Sequence, residues 1–139
     1  MKVLFDTNVL LDVFLERTPF FEASSQVVGL AETSEIEGWI CGTTVTTIFY
    51  LLEKGLSREK AEKNIRKMLK IFHISSINRV VLEEAVDSDF KDYEDAVLYQ
   101  SGVHANLEVI VTRNQKDFKE SALPVYSPAE FLIAYDILT

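Results

Sequence analysis

The chain has 139 residues, a formal net charge of −8, 47% hydrophobic residues and 26% charged residues, so we expect residues 1–139 to form a single domain around one core. No apolar run approaches the roughly 20 residues that span a bilayer, and a strand that begins at Val3 leaves no room for a signal peptide. The single cysteine, Cys41, suits the reducing cytoplasm, and the acidic balance argues against a general nucleic-acid binder, so we expect a cytoplasmic protein without membrane contact.

The N-terminal residues 3–5 predict a short buried strand that ends in three small polar residues, Asp6, Thr7 and Asn8. Apolar residues at helical spacing follow, so the polar triplet lies where a strand passes into a helix. In open α/β sheets this carboxyl edge is where ligands usually bind. A helix cap needs only one of the three residues, which favours a functional role for the others.

The rest of the chain alternates between strands and helices. The predicted strands cover residues 39–41, 71–74, 107–111 (buried) and 124–126 (at the edge of the sheet). The predicted helices cover residues 18–35, 48–52 and 79–88; the first starts at Thr18-Pro19 and is followed by a stop at Gly38. Three more helices are predicted from their starts at Ser57, at the cap Asp92 and, for the closing helix, at Ser127-Pro128. This alternation predicts an α/β fold with a mostly parallel sheet that is covered by helices on both faces.

Half of the basic residues lie in one segment, because seven of the 14 fall between Lys54 and Lys70. In the helix after Ser57 they face away from an apolar stripe that we predict to be Ala61, Ile65, Met68 and Leu69. Such a face is typically solvated, and contact with an RNA backbone or an acidic partner protein is the alternative.

Acidic and amide side chains follow three separate strand or helix ends. They are Asp6, the pair Glu94 and Asp95, and Asn114 with Asp117. An Asp92 cap with Asp95 in the first turn is explained by the helix dipole, but Glu94 beside Asp95 is not. Oxygen ligands without paired histidine or cysteine suit Mg²⁺ or Mn²⁺, whose chemistry in proteins is mostly that of phosphate esters. The sequence contains no phosphate-binding glycine loop and no plausible nucleophilic triad.

Three motifs in this order resemble those of PIN domains: residues 6–12 (Asp-Thr-Asn-Val-Leu-Leu-Asp), 94–96 (Glu-Asp-Ala) and 112–118 (Thr-Arg-Asn-Gln-Lys-Asp-Phe). The resemblance extends from Val3 to Phe131 and implies a three-layer α/β/α sandwich that cleaves single-stranded RNA with Mg²⁺ or Mn²⁺. Similarity to VapC-like toxins of toxin–antitoxin pairs also implies an antitoxin partner and a homodimer. The site implied by the resemblance has catalytic Asp6, Asp95 and Asp117, metal ligands Asp6, Glu94, Asp95 and Asn114, and supporting residues Thr7, Asn8, Thr47 and Thr112.

The chain departs from the family pattern at two positions. Thr47 or a neighbour stands where a second acid is usual, and Glu53, the nearest acid, lies six residues on and nearly on the opposite helix face. Asn114 stands where many relatives have aspartate. A PIN-like domain that binds RNA or a protein with weak or no catalysis is therefore the alternative. A phosphatase of the haloacid dehalogenase type ranks last, because Asn8 occupies the place of its second acid.

Overall fold

A computed structural model describes residues 1–138 of the chain. Its strands are β1 (Lys2–Phe5), β2 (Glu37–Cys41), β3 (His73–Ser75), β4 (Val109–Val111) and β5 (Val125–Tyr126). Its helices are α1 (Thr7–Phe14), α2 (Phe21–Glu32), α3 (Gly42–Gly55), α4 (Arg58–Ile71), α5 (Arg79–Val86), α6 (Tyr93–His104) and α7 (Pro128–Leu138), with a 3₁₀ turn over Gln115–Phe118. None of these helices is both long and apolar enough to cross a membrane.

The five strands form one sheet in the order β3-β2-β1-β4-β5, and all four pairs of neighbours are parallel. Strand β1 lies at the centre, where Leu4 pairs with Trp39 of β2 on one side and Ile110 of β4 on the other. The strand order therefore reverses between β1 and β4. In parallel α/β sheets the crevice beyond the carboxyl ends of two such strands is the usual ligand site.

Helices cover both faces of the sheet because side chains alternate between the faces along each strand. From β1, Val3 and Phe5 pack among helices α1 to α4 and α7, whereas Leu4 packs on the opposite face with α5 and α6. This arrangement confirms the predicted three-layer α/β/α sandwich, and Cys41 is buried within it.

Polar caps fix the starts of several helices where the sequence predicts them. Ser57 accepts a hydrogen bond from the backbone N–H of Lys60, and Asp92 accepts one from that of Asp95. At the start of α7, Ser127 and Glu130 cap each other, because each side chain accepts a hydrogen bond from the other's backbone N–H. These predicted helix starts are confirmed.

Other predicted boundaries are wrong. Helix α2 begins at Phe21 rather than at Thr18 and ends at Glu32, and Gly38 lies inside β2 rather than marking a helix end. A Cβ atom on Gly38 would lie 2.8 Å from both the Ala31 Cβ and the Phe72 ring, so the glycine permits a close approach. The third strand begins at His73, because α4 continues to Ile71.

The predicted apolar stripe of α4 is correct except for Leu69. Ala61 and Met68 are fully buried and Ile65 packs against the core, but Leu69 is 49% exposed. The C-terminal end of α4 lies at the amino edge of the sheet, because β3 starts two residues after Ile71. The basic residues at that end of α4 are therefore far from the carboxyl edge.

Candidate functional site at the carboxyl edge of the sheet

Asp6 lies at the reversal point of the sheet, directly after β1, and only 7% of it is exposed. Its Oδ1 accepts a hydrogen bond from the Thr7 backbone N–H at 2.7 Å as the cap of α1. Its Oδ2 accepts one from the Thr112 hydroxyl at 2.7 Å, and Thr112 follows β4 directly. Burial raises the pKa of Asp6, although these two donors oppose the rise and the charges of Glu94 and Asp117 add to it.

Asp95 faces the same region from the first turn of α6. Burial raises its pKa to about 7, and the charge of Asp6 is the next cause, followed by Asp92, Asp117 and Glu94. The predicted acids Asp6, Glu94, Asp95 and Asp117 are thus brought together, although they come from three distant parts of the chain.

This acidic cluster has no cationic partner among the residues that the structure describes. No lysine, arginine or histidine among residues 1–138 forms an ion pair with Asp6, Glu94, Asp95 or Asp117. Clustered carboxylates that ionise without a counter-charge cost stability, and a bound cation would relieve that cost. The hard oxygen donors therefore fit a divalent cation such as Mg²⁺ or Mn²⁺.

The cluster is open rather than a closed cage. In the part of the chain that the structure describes, no three aspartate, glutamate, histidine or cysteine side chains lie close enough together to hold an ion by themselves. This openness still fits Mg²⁺, which usually binds to one or two carboxylates and keeps several of its waters.

Asn8 and Thr112 support the Asp6 carboxylate. The Asn8 amide nitrogen lies 3.3 Å from Asp6 Oδ2 and 3.4 Å from the Thr112 hydroxyl, so it donates toward both. Thr7 shares a hydrogen bond of 3.1 Å with the buried Thr44, which the sequence interpretation missed. Thr44 belongs to the run of small polar residues that follows β2. That run is the feature of the sequence from which its place at the site could have been predicted.

Asn114 and Asp117 lie on the exposed turn after β4. Asn114 is connected to the cluster by its backbone N–H, which donates to the Thr112 hydroxyl at 3.0 Å. Within residues 1–138 its side chain has no hydrogen bond, so the predicted ligand role of Asn114 stays a prediction.

Thr47 on α3 points toward the cluster. Its hydroxyl donates to Glu94 Oε1 at 3.4 Å, so the Glu94 carboxylate from α6 reaches the place where the sequence resemblance predicts a second acid. Glu53 is paired with Arg58 at 3.1 Å near the far end of α3, in agreement with its predicted exclusion from the site.

A buried ion pair behind the site was also missed. The fully buried Asp12 accepts a hydrogen bond of 2.6 Å from Arg113 Nε, and these residues lie on α1 and on the turn after β4. In the sequence, the only local indication of this pair is that Asp12 stands between the inward-facing Leu11 and the apolar Val13.

The strand order and the carboxylates at its reversal point define an open parallel α/β protein with an acidic site. In comparisons with known proteins, Ribonuclease VapC1 of Aquifex aeolicus (strain VF5) is 27% identical over 142 residues, which cover 99% of this chain and 97% of that protein. A family model described as the PIN domain matches residues 2–116. The chain belongs to the PIN domain family.

Solved structures share this fold. A chain of a toxin–antitoxin complex from Klebsiella pneumoniae is 27% identical with a TM-score of 0.68, over 91% of this chain and 97% of that chain. A chain of the DNA-bound VapBC structure from Salmonella typhimurium is 16% identical with a TM-score of 0.70, over 92% of this chain and 98% of that chain. The second likeness concerns the fold alone.

Proposed function

We propose that this chain is a metal-dependent endoribonuclease that cleaves single-stranded RNA and acts as the toxin of a toxin–antitoxin pair. The observation that carries the proposal is the meeting of Asp6 and Asp95 at the reversal point of the sheet. Both have raised pKa values, and neither has a cationic partner within residues 1–138. The relative from Aquifex aeolicus is named a ribonuclease, and the Klebsiella pneumoniae structure is a toxin–antitoxin complex, which supports the activity and an antitoxin partner. A cytoplasmic location and a homodimer stay predictions from the sequence.

Asp6 and Asp95 would hold the cation, and Glu94, beside Thr47 on α3, would add its negative charge from outside the direct ligand set. When bound, Mg²⁺ or Mn²⁺ would neutralise charge on the phosphate and lower the pKa of water. In the hydrolysis, water forms a bond to phosphorus, one P–O ester bond breaks, and the leaving oxygen takes up a proton.

The protein's own residues prepare the site for this reaction. Thr112 and the Thr7 backbone N–H each occupy a different oxygen of Asp6, so its carboxylate is fixed in one orientation. Asp95 must be ionised to bind a cation, and with a pKa of about 7 in the cation-free protein it exchanges its proton close to neutral pH. Asp117 is placed to influence both carboxylates through its charge.

RNA needs cations near the site, and three lysines provide them. Lys91, Lys116 and Lys119 line an open cavity of about 360 Å³, which they share with four acidic residues: Asp89, Asp92, Asp117 and Glu120. Phosphates on one side of the scissile bond would meet these lysines in an otherwise acidic protein. The basic residues of α4 are less suited, because its C-terminal end lies at the opposite edge of the sheet and Arg58 and Arg66 are paired with glutamates.

Binding without catalysis is less well supported than cleavage. A protein that only contacts RNA or a partner gains nothing from carboxylates that are costly to ionise. Asp6 is such a group, and its two oxygens are held by directed hydrogen bonds.

The proposal is tested by incubating the protein with one sequence as single-stranded RNA, double-stranded RNA or single-stranded DNA, each with Mn²⁺, Mg²⁺ or EDTA. We expect cleavage of single-stranded RNA with either cation and none in EDTA. Equal cleavage in EDTA would refute the metal dependence, and preference for DNA would refute the substrate class.

A further inference from the structure

Arg113 is held from two sides behind the carboxyl-edge site. Its Nε donates to Asp12 Oδ2 at 2.6 Å, and its guanidinium carbon lies 3.9 Å from the centre of the Phe20 ring. The same Asp12 oxygen also accepts a hydrogen bond from the Ser24 hydroxyl at 3.3 Å. The arginine therefore joins the turn after β4 to both α1 and α2.

The backbone of Arg113 is connected to the acidic cluster through Asn8. The Arg113 backbone N–H donates to Asn8 Oδ1 at 3.2 Å. Because the amide oxygen is engaged there, the amide nitrogen is turned toward Asp6 Oδ2. The opposite orientation of the amide would place its oxygen against the carboxylate. The position of the Arg113 peptide therefore determines that the nitrogen, and not the oxygen, of the Asn8 amide points toward Asp6.

Stability does not explain this ion pair well. Asp12 is fully buried, and its Oδ1 has no hydrogen-bond partner within residues 1–138. Buried ion pairs can often be replaced by apolar residues of similar size without loss of stability, and an unpaired carboxylate oxygen makes the pair costlier still. The pair does provide a fixed direction, since the planar guanidinium restricts where the turn after β4 can lie.

We propose that Arg113, anchored by Asp12, is a positioning residue for the acidic site: it sets the orientation of Asn8, whose amide nitrogen adds a further donor to Asp6 Oδ2 and to the Thr112 hydroxyl. This inference rests on the proposed nuclease function. It differs from a role for Arg113 as an RNA ligand, for which its 22% exposed side chain would have to release Asp12 or use only its terminal amino groups.

The decisive variant replaces both members of the pair by apolar residues, Asp12→Leu with Arg113→Met. We expect a Tm within a few degrees of wild type, a kcat reduced about a hundredfold, and a KM for single-stranded RNA within about threefold of wild type. Arg113→Lys keeps a cation beside Asp12 and should also fold with a reduced kcat. Arg66→Met, which removes an exposed arginine on α4, is the matched control and should leave all three values unchanged.

A second readout requires no catalysis. In the metal-free protein, the NMR signals of the Asn8 side-chain amide should shift and exchange faster in the double variant, but not in Arg66→Met. If wild type cleaves no RNA, the nuclease proposal fails while this readout still tests the positioning. Each of three results for the double variant would overturn the inference. They are a wild-type kcat at a wild-type Tm, a raised KM at unchanged kcat, and unchanged Asn8 signals.

Discussion

Replacing Asp95 with asparagine should stabilise the metal-free protein at pH 8. In the folded protein the pKa of Asp95 is raised from 3.8 to about 7. Burial is the largest cause and the charge of Asp6 is the next. At pH 8 the folded protein therefore contains a carboxylate that would be more stable in the unfolded chain. An asparagine has nearly the same shape and removes that charge.

The raised pKa fixes the size and the pH range of the effect. A rise from 3.8 to about 7 would correspond to roughly 4 kcal/mol if Asp95 were fully shielded from water. Asp95 is only half-buried, and solvent screening reduces the expected gain to about 1–2 kcal/mol, or about 3–8 °C in Tm. Because the folded pKa is the higher one, the cost of ionisation is complete above about pH 7, decreases as the pH falls, and is absent below 3.8.

Thermal unfolding followed by circular dichroism in EDTA tests this expectation at pH 8 and at pH 4.5. Asp95→Asn should melt higher than wild type at pH 8 and nearly equally at pH 4.5. Asp136→Asn, which removes an exposed carboxylate from α7, is the matched control and should behave as wild type at both values. A Tm several degrees below wild type at pH 8 would show that Asp95 has a structural role. An equal gain at both pH values would show that like-charge repulsion and burial are not its cause.

Three further expectations concern single residues. Thr47→Glu should bind Mn²⁺ about tenfold more tightly, roughly 1.4 kcal/mol, because it adds a carboxylate beside Glu94. A calorimetric titration measures this, and unchanged affinity in a folded variant would place position 47 outside the metal site. Lys116→Gln should raise the KM for RNA and reduce the salt dependence of that KM, whereas Lys70→Gln should change neither. Equal kinetics of the two variants would exclude the cavity at Lys91, Lys116 and Lys119 as an RNA path. Gly38→Ala should lower the free energy of unfolding in urea by about 1–3 kcal/mol because of the close contacts described above, and a neutral effect would mean that the neighbouring side chains move aside easily.

The meeting of the acidic residues could be predicted from the sequence for a physical reason. Each of Asp6, Asp95 and Asp117 follows closely on an apolar strand or a helix start, and parallel strands bring such positions to one edge. The caps Ser57 and Asp92 were predictable as well, because a capping side chain bonds only a few residues along the chain.

The parts that could not be predicted depend on contacts between distant residues. The partner of Asp12 lies 101 positions away, and nothing near residue 12 identifies Arg113 as that partner. The approach of Glu94 to Thr47 likewise depends on how α6 packs beside α3. Gly38 shows a local ambiguity, because glycine ends helices and also permits close packing inside strands.

The most direct test of the account compares the initial rates at which wild type, Asp6→Asn and Asp136→Asn cleave single-stranded RNA at saturating Mn²⁺. In the proposed site Asp6 is an oxygen ligand that asparagine would replace only in part and without its charge, so we expect Asp6→Asn to lose at least about a hundredfold in rate. Asp136→Asn should cleave as wild type does. Equal rates for all three proteins, each purified separately and folded, would contradict the claim that the carboxyl-edge cluster is the active site.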